Sequence, residues 1–492
     1  MPGWSHGYVA GASYSIAWQA AATPANMALA CAMAGRRWQP RPAMVVADLG
    51  CGRGYNANLL AAANPGWTVL GLDHEPAAIA EAMQTAGRAG LANALFAEAD
   101  LGTMREAEIE RLPPLDVVLV HGVWTWVSDA VRAGILRLIE RRLKPGGVAY
   151  FGYNALPAAG VDAGLQRLLR HLAGPFEAGG GSAAAARAMT AFRGMADALP
   201  LRRTAMRRRL EADPPQLEPG FVAHEFLTQH WRPVFHADLC RDLAAARLEF
   251  VGSANLFEAL PGLFCDAQQM AVMAGLVVGQ GAEFIKDICL PRSFRADVFI
   301  RGARACDPVA ALDAIHLAAI GPLPQASPVL NTGASEVALP QGFWEIITGL
   351  LDAGAASIGD MRAAIGEGAP HPAEMLALLV GTECALPVFQ GGGPQPAASR
   401  FNLAAAAIHA GDGEARGHFG LASPHAVGGI PASALDLALV AALIEGADPG
   451  VPEAIALQLQ PGLDEDRLAA AARRIAATLA DRVPVWRRFG VI

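Results

Sequence analysis

The sequence predicts an α/β protein: a doubly wound, mostly parallel sheet in its first half, followed by a mainly helical remainder. Three observations point there. Between Met44 and Tyr153, short β-branched or apolar runs alternate with amphipathic segments, the pattern of strands joined by crossover helices. The first run closes on a glycine-rich loop, Gly50-Cys51-Gly52-Arg53-Gly54. Acids stand at the ends of the first three runs, at Asp48, Asp73 and Asp100.

Taken in order, strands are expected near Met44–Leu49, Thr68–Asp73, Ala94–Ala99, Asp116–His121 and Val148–Tyr153, with helices near Tyr55–Ala63, Glu75–Ala89 and Asp129–Leu143 between them. The last helix should end at Lys144-Pro145-Gly146-Gly147, where proline and glycine stop it and turn the chain into the fifth strand. After Asn154 the pattern becomes a helical insert, residues 155–235. It has helices over Leu165–Leu172 and Ala183–Leu210, separated by Gly179-Gly180-Gly181 and closed by Asp213-Pro214-Pro215. Its one basic feature is Arg202-Arg203 with Arg207-Arg208-Arg209, which reads first as a solvated helix face and second as a docking strip for an acidic partner. A helix over His236–Ala246 and strands at Leu248–Gly252 and Asp297–Ile300 complete the sheet, so the first domain comprises residues 1–154 and 236–302.

From Gly321-Pro322 to Pro328 a proline-rich stretch leads into an accessory region, residues 307–492, punctuated by Gly391-Gly392-Gly393-Pro394. Val337–Leu339, Gly342–Leu351, Gly359–Ile365, Pro372–Val380 and Ala385–Phe389 suggest a winged-helix-like module there. Substrate-protein docking or dimer contact is its expected role.

At 492 residues the length favours two to four domains, and a formal charge of −8 with a pI near 5.9 argues against nucleic acid or anionic lipid as the main partner. Only Lys144 and Lys286 are lysines, an arginine and alanine bias that reads as the codon usage of a GC-rich bacterial genome. Seven widely spaced cysteines without a CxxC pair indicate neither a disulfide framework nor a zinc site, and a reducing cytoplasm is expected. The uncharged stretch from Gly7 to Gly35 resembles an export signal only superficially, because Arg36 and Arg37 follow its apolar part and Pro24 interrupts it. Nowhere do about 18 apolar residues run uninterrupted, so no membrane span is expected.

The loop at the end of the first strand needs glycine because the backbone must turn sharply and let a ligand lie against it. A dinucleotide fingerprint, G-x-G-x-x-G, fails at its last position, which is Tyr55. The G-x-G-x-G spacing with Asp48 two residues ahead suits instead a phosphate-free cofactor bearing an ammonium and a sulfonium, since a carboxylate answers the amino group. Asp73, about twenty residues beyond the loop, is placed to accept both ribose hydroxyls. Asp100-Leu101 suits the adenine amino group and ring edge.

The combination D-L-G-C-G-x-G, L-D, A-D and L-K-P-G-G resembles the Rossmann-like class I S-adenosylmethionine-dependent methyltransferases. The segments His121 to Val127, Tyr153-Asn154-Ala155-Leu156-Pro157, His224-Glu225-Phe226-Leu227 and Arg295 to Gly302 are similar to the bacterial enzymes of that class that carry a methyltransferase regulatory domain, the rickettsial protein lysine methyltransferases among them. The likeness spans nearly the whole chain, including Leu421-Ala422-Ser423-Pro424 and Gly429-Ile430-Pro431. It implies S-adenosyl-L-methionine as cofactor, held by Asp48, Gly50, Cys51, Gly52, Gly54, Asn56, Asp73, His74, Asp100, Leu101 and His121, with Tyr14 on an N-terminal arm, also carrying Tyr8, that folds over it. Departures fall at Tyr55, before Asn56, and at Ala158, where glycine is common.

On the acceptor side, Tyr153 and Asn154 end the fifth strand, where doubly wound folds place ligand-facing groups, and are expected to orient the acceptor. His121 lines the cofactor pocket or accepts a proton, and Glu225 is a candidate active-site carboxylate. One of Trp124 and Trp126 should wall the acceptor channel while the other is core. His224, Glu225, His230 and His236 lack metal-ligand spacing, so no metal is expected. The leading acceptor is a lysine side chain of a protein. The alternatives are a small molecule in a biosynthetic pathway and a non-catalytic cofactor-sensing scaffold.

Overall fold

The computed structural model describes residues 7–9, 12, 14, 16–174, 180–275, 280–290, 292–331, 336–389, 395–411 and 419–492. Its first part runs α1 (Pro24–Met33), β1 (Val45–Leu49), α2 (Tyr55–Ala63), β2 (Thr68–Asp73), α3 (Pro76–Ala89), β3 (Ala94–Glu98), α4 (Glu106–Arg111), β4 (Leu115–His121), α5 (Asp129–Arg142) and β5 (Leu143–Asn154). The insert follows as α6 (Ala163–Ala173), α7 (Gly180–Met195), α8 (Ala205–Glu211) and α9 (Pro219–Phe226). Next come α10 (His236–Ala244), β6 (Leu248–Ser253), α11 (Ala267–Gly275), α12 (Gln280–Cys289) and β7 (Phe294–Arg301).

These strands form one seven-stranded sheet in the order β3-β2-β1-β4-β5-β7-β6. It is parallel except for β7, which runs antiparallel to both β5 and β6. The order reverses beside β1, and in open α/β sheets the ligand crevice lies at such a switch point, outside the carboxyl ends of the strands. Central β4 is buried along its whole length until His121, as expected of a parallel strand covered on both faces.

Several elements differ from expectation, each for a local reason. Pro24 does not interrupt a segment but opens α1 at its first turn, with Thr23 Oγ1 accepting the Asn26 N–H at 3.3 Å. The single helix expected over Ala183–Leu210 is two, because Pro200 cannot continue a helix and disfavours the helical conformation at Leu199. Lys144 to Gly147 lie within β5, taken up by a register shift between Leu115 and Val117 of β4. Gly180 is the first residue of α7, and Gly179 and Gly391 to Pro394 lie outside the described residues.

The remainder continues as α13 (Pro308–Asp313), β8 (His316–Ala319), β9 (Leu330–Asn331), β10 (Glu336–Val337), α14 (Gln341–Ala353), β11 (Ala356–Ser357), α15 (Ile358–Ile365), α16 (Pro372–Gly381) and β12 (Ala385–Pro387). The chain ends in α17 (Pro396–Gly411), β13 (Phe419–Ser423), β14 (Gly428–Ala432), α18 (Ala434–Ile444), α19 (Pro452–Leu459) and α20 (Glu465–Arg488). Strands β11-β8-β12 make a small antiparallel sheet whose helices share a core built on Leu317, Trp344, Met361 and Leu376. The last third joins the main sheet: Phe401, Leu421 and Trp486 belong to one core with Leu59 of α2 and Val46, Val69 and Val117 of the sheet. Helix α2 is apolar apart from Asn56 and Asn58 and is buried at Tyr55 and from Ala57 to Ala63, so it needs cover on both sides. The sheet supplies one side, and α17 with the β13–β14 hairpin supplies the other. The Tyr55 hydroxyl fixes that packing by donating to the Gly420 carbonyl at 2.8 Å. No helix among the described residues is long and apolar enough to cross a membrane.

Candidate active site

The loop from Gly50 to Gly54 joins β1 to α2, and all three of its glycines have positive φ. At Gly50 a Cβ would stand 2.4 Å from Val123 Cγ2, so any other residue would displace the wall it faces. Four of the five loop amides are already committed. Gly50 N–H and Cys51 N–H donate to the Leu72 carbonyl at 2.7 and 3.2 Å, Gly52 N–H to Asp73 Oδ2 at 2.8 Å, and Gly54 N–H to the Cys51 carbonyl at 3.0 Å. A pyrophosphate needs free amides at this point, whereas a cofactor with adenosine and amino-acid ends does not.

Two adjoining cavities open here, sharing Tyr8, Tyr14, Gly50 and Gly122. The narrower is a mostly apolar slot between Leu72, Leu101, Val123 and Val131, with Asp73, His74 and Asp100 on its polar side. Its shape and lining suit an adenosine. Besides the Gly52 amide, the Asp73 carboxylate accepts the Glu75 N–H at 3.0 Å and sits 3.3 Å from His74 Nδ1. Asp100 holds its own turn, accepting from Gly102 N–H at 2.9 Å and Thr103 Oγ1 at 2.6 Å.

The wider cavity, about 420 Å³, contains Asp48, Cys51, Gly52, Asn56 and His121 on one side and Trp126, Asn154 and Glu225 on the other. Burial, aided by the neighbouring Asp73 carboxylate, pushes the Asp48 carboxyl up to about 7. Such a group gains its charge most easily when a cation arrives beside it. Burial alone pushes His121 down to about 4, so its ring, 3.0 Å from the Tyr150 hydroxyl, is neutral at pH 7. Asn56 Oδ1 accepts the Gln19 N–H at 3.0 Å and ties the start of α2 to the N-terminal arm. Tyr14 of that arm lies against Gly52 and stacks on His224 with centroids 4.2 Å apart and planes 10° apart. Tyr8 and Tyr14 of that arm thus line both cavities, and α9 carries the ring on which Tyr14 stacks.

Across the wider cavity from the glycine loop, Asn154 Nδ2 donates to Glu225 Oε1 at 2.8 Å. Trp231 Nε1 donates to the same oxygen at 3.3 Å, and Trp126 Nε1 donates to the Glu225 backbone carbonyl at 3.3 Å. Burial dominates and lifts the Glu225 carboxyl to about 7 despite these donors. Trp126 lines the cavity while Trp124 is core, packed edge-on to Phe151.

Two expected site residues are elsewhere. Tyr153 is fully buried on the opposite face of β5, its hydroxyl donating to Asp297 Oδ2 at 2.6 Å beside His236 Nδ1. Strand side chains alternate, so with Asn154 turned toward the cavity Tyr153 faces the core under α10. Gly54 lines neither cavity: a Cβ there would lie 2.5 Å from Ala82 Cβ and 2.8 Å from Phe96, so its absence serves helix–strand packing. The tempting histidines also disperse, His224 onto the tyrosines and His236 onto Asp297 at 3.0 Å, and no group of three potential metal ligands occurs among the described residues. Met206 of α8, Phe221 of α9 and Phe294 of β7 line the wider cavity without having been anticipated. The Glu218-Pro219 pair, a proline at a helix's first turn, was the available sign that Phe221, His224 and Glu225 share one helix.

Comparison with known proteins bears on the fold and the class of enzyme. A family model described as a methyltransferase domain matches residues 40–170, and one described as a predicted methyltransferase regulatory domain matches residues 218–301. An uncharacterized protein of Synechocystis sp. is 25% identical over 371 residues, 73% of this chain and 71% of that one. Trans-aconitate 2-methyltransferase of Methylobacterium nodulans is 35% identical over 148 residues; these are 30% of this chain and 51% of that enzyme, so the match spans about half of it. PKMT2 from Rickettsia typhi, in complex with AdoHcy, superposes over 96% of this chain and 99% of that one with a TM-score of 0.70 at 15% identity, which establishes a shared fold. With a glycine loop at the end of β1 and a sheet of this order, the chain is an S-adenosylmethionine-dependent methyltransferase on a Rossmann-like sheet, and its residues 218–301 are similar to a methyltransferase regulatory domain.

Proposed function

We propose that the chain N-methylates lysine side chains of a protein substrate, in the cytoplasm. The observation that carries this reading is the Asn154–Glu225 pair, hydrogen-bonded at 2.8 Å in the cavity that adjoins the glycine loop. A lysine arrives as an ammonium, which has no lone pair, so one proton must leave before it can attack. Glu225, held near 7, takes that proton, and the carbonyl oxygen of Asn154 accepts from a remaining N–H to aim the lone pair. Trp126, Phe221 and Phe294 provide apolar walls for the four-carbon stem.

When bound, S-adenosylmethionine supplies a methyl carbon already activated by its sulfonium, so alignment is the main demand on the protein. Asp73 is assigned to the ribose hydroxyls, Asp100 and Leu101 to the adenine, and Asp48 to the amino group of the methionine part. Gly50, Cys51 and Gly52 underlie the cofactor, with Asn56, His74 and Tyr14 at its edges. A neutral His121 lines the cavity without repelling a cationic donor.

A second reading, methylation of a small carboxylate-bearing acceptor, draws on the trans-aconitate 2-methyltransferase relatives. The acids of the wider cavity, Asp48 and Glu225, disfavour a polyanion there. Incubation with methyl-labelled cofactor and cell extract separates the two: label recovered in protein hydrolysates as methylated lysine supports the first, and label confined to small metabolites overturns it.

A further inference from the structure

The chain is acidic overall, yet residues 155–217 carry nine arginines against five carboxylates. The densest part of this excess is α8 and the residues just before it. Arg207 accounts for itself: it is buried, its guanidinium donating to the Ala196 carbonyl at 2.6 Å, to the Leu201 carbonyl and to Glu211 Oε1 at 2.6 Å. That network locks α8 in place. Arg202, Arg208 and Arg209 are exposed and pair with no carboxylate among the described residues, while Arg203 only approaches Asp197 and Glu211 at 3.7 and 4.0 Å.

The strip also sits beside the site. Met206, one turn before Arg209, lines the wider cavity, and the Arg209 guanidinium lies 5.9 Å over the ring of Phe221, which lines it too. Exposed arginines on and just before α8 that lack a close carboxylate partner, beside this cavity in a chain of net charge −8, are placed to meet anions on an incoming acceptor.

We infer that the arginine strip of α8 docks an acidic segment flanking the residue to be methylated. This rests on the protein-acceptor reading above and adds to it the chemistry of the acceptor's surroundings. Exposed charge pairs are individually weak, so the strip acts through several of them and chiefly through binding and encounter.

The test uses the full-length protein, a fluorescent peptide with a central lysine flanked by glutamates, and its glutamine-flanked counterpart. Binding is measured by anisotropy at low and high salt, separately from methyl transfer. The unmodified protein should bind the glutamate peptide more tightly than the glutamine one, with the difference lost at high salt. The double substitution Arg208→Glu and Arg209→Glu should weaken glutamate-peptide binding by about tenfold while leaving cofactor affinity unchanged. Arg473→Glu with Arg474→Glu, two exposed arginines on α20, changes net charge equally and should have little effect. Equal loss in both double variants, no loss in the α8 variant, or no preference for the glutamate peptide overturns the proposal. Preferred binding without methylation of either peptide upholds the docking strip and counts instead against lysine as the acceptor.

Discussion

Replacing Glu225 with glutamine tests the acceptor chemistry with two independent readings. Glutamine keeps the size and can still accept from Asn154 Nδ2 and Trp231 Nε1, but it cannot take a proton. Burial raises the carboxyl from 4.5 to about 7, so the folded chain holds this proton more tightly than the unfolded one does. The cost of ionising it is therefore absent below about pH 4.5 and complete above about pH 7. At 1.36 kcal/mol per pKa unit this penalty reaches about 3 kcal/mol at pH 8 and less than about 1 kcal/mol at pH 5. These are upper limits, because water entering the cavity screens the charge. Glu225→Gln should thus stabilise the protein at pH 8 by up to that amount and much less at pH 5, as measured by urea unfolding at both values. Turnover on labelled protein should fall by about a hundredfold or more, the usual contribution of a general base, and the rise in rate through pH 7 should disappear. A variant that keeps both the rate and its pH dependence refutes Glu225 as the proton acceptor, and a stability gap equal at pH 5 and pH 8 refutes the burial argument.

Asp73→Ala should weaken cofactor binding by about 1 to 3 kcal/mol, the cost of unmade charge-assisted hydrogen bonds, with the Gly52 amide losing its acceptor as well; unchanged affinity by calorimetry contradicts the ribose assignment. Asp48, held near 7, must ionise to meet the cofactor's ammonium, so affinity should rise by about tenfold from pH 6 to pH 8 with release of a proton, detectable in buffers of different ionisation enthalpy. A flat profile assigns the amino group to another partner. Tyr153→Phe should cost about 1 to 3 kcal/mol of stability, by removing a buried donor from Asp297, and leave turnover of the folded enzyme nearly intact; a selective loss of turnover returns Tyr153 to the acceptor site.

The sheet was readable because parallel strands and crossover helices leave a coarse alternation that survives local errors, and β1 to β5 lie where that alternation puts them. The cavity walls around the glycine loop were readable because they are written in residues with few substitutes: glycines at positive φ, and acids at Asp48, Asp73 and Asp100 at or just beyond the strand ends, which line the two cavities. The far wall of the wider cavity was less so. Asn154 and Glu225 are far apart in sequence and meet only because α9 is carried over the sheet, which no local pattern announces. Tyr153 shows the limit of strand-end reasoning, since a shift of one residue exchanges cavity for core. Helices α11 and α12 passed unread between Gly252 and Asp297, and α1 was taken for an interrupted apolar stretch although Thr23-Pro24 is a sound helix start.

The burial of α2 ties the chain's far end to its cofactor loop. Because Tyr55, the first residue of that helix, is held by a carbonyl 365 positions away, the loop rests on a shelf whose other half is the β13–β14 hairpin. Loosening the hairpin should then raise the cofactor's dissociation constant without altering any atom that touches it. Conversely, a bound cofactor should slow amide exchange and proteolytic nicking within the hairpin, so that ligand occupancy can be read from the C-terminal third of the chain.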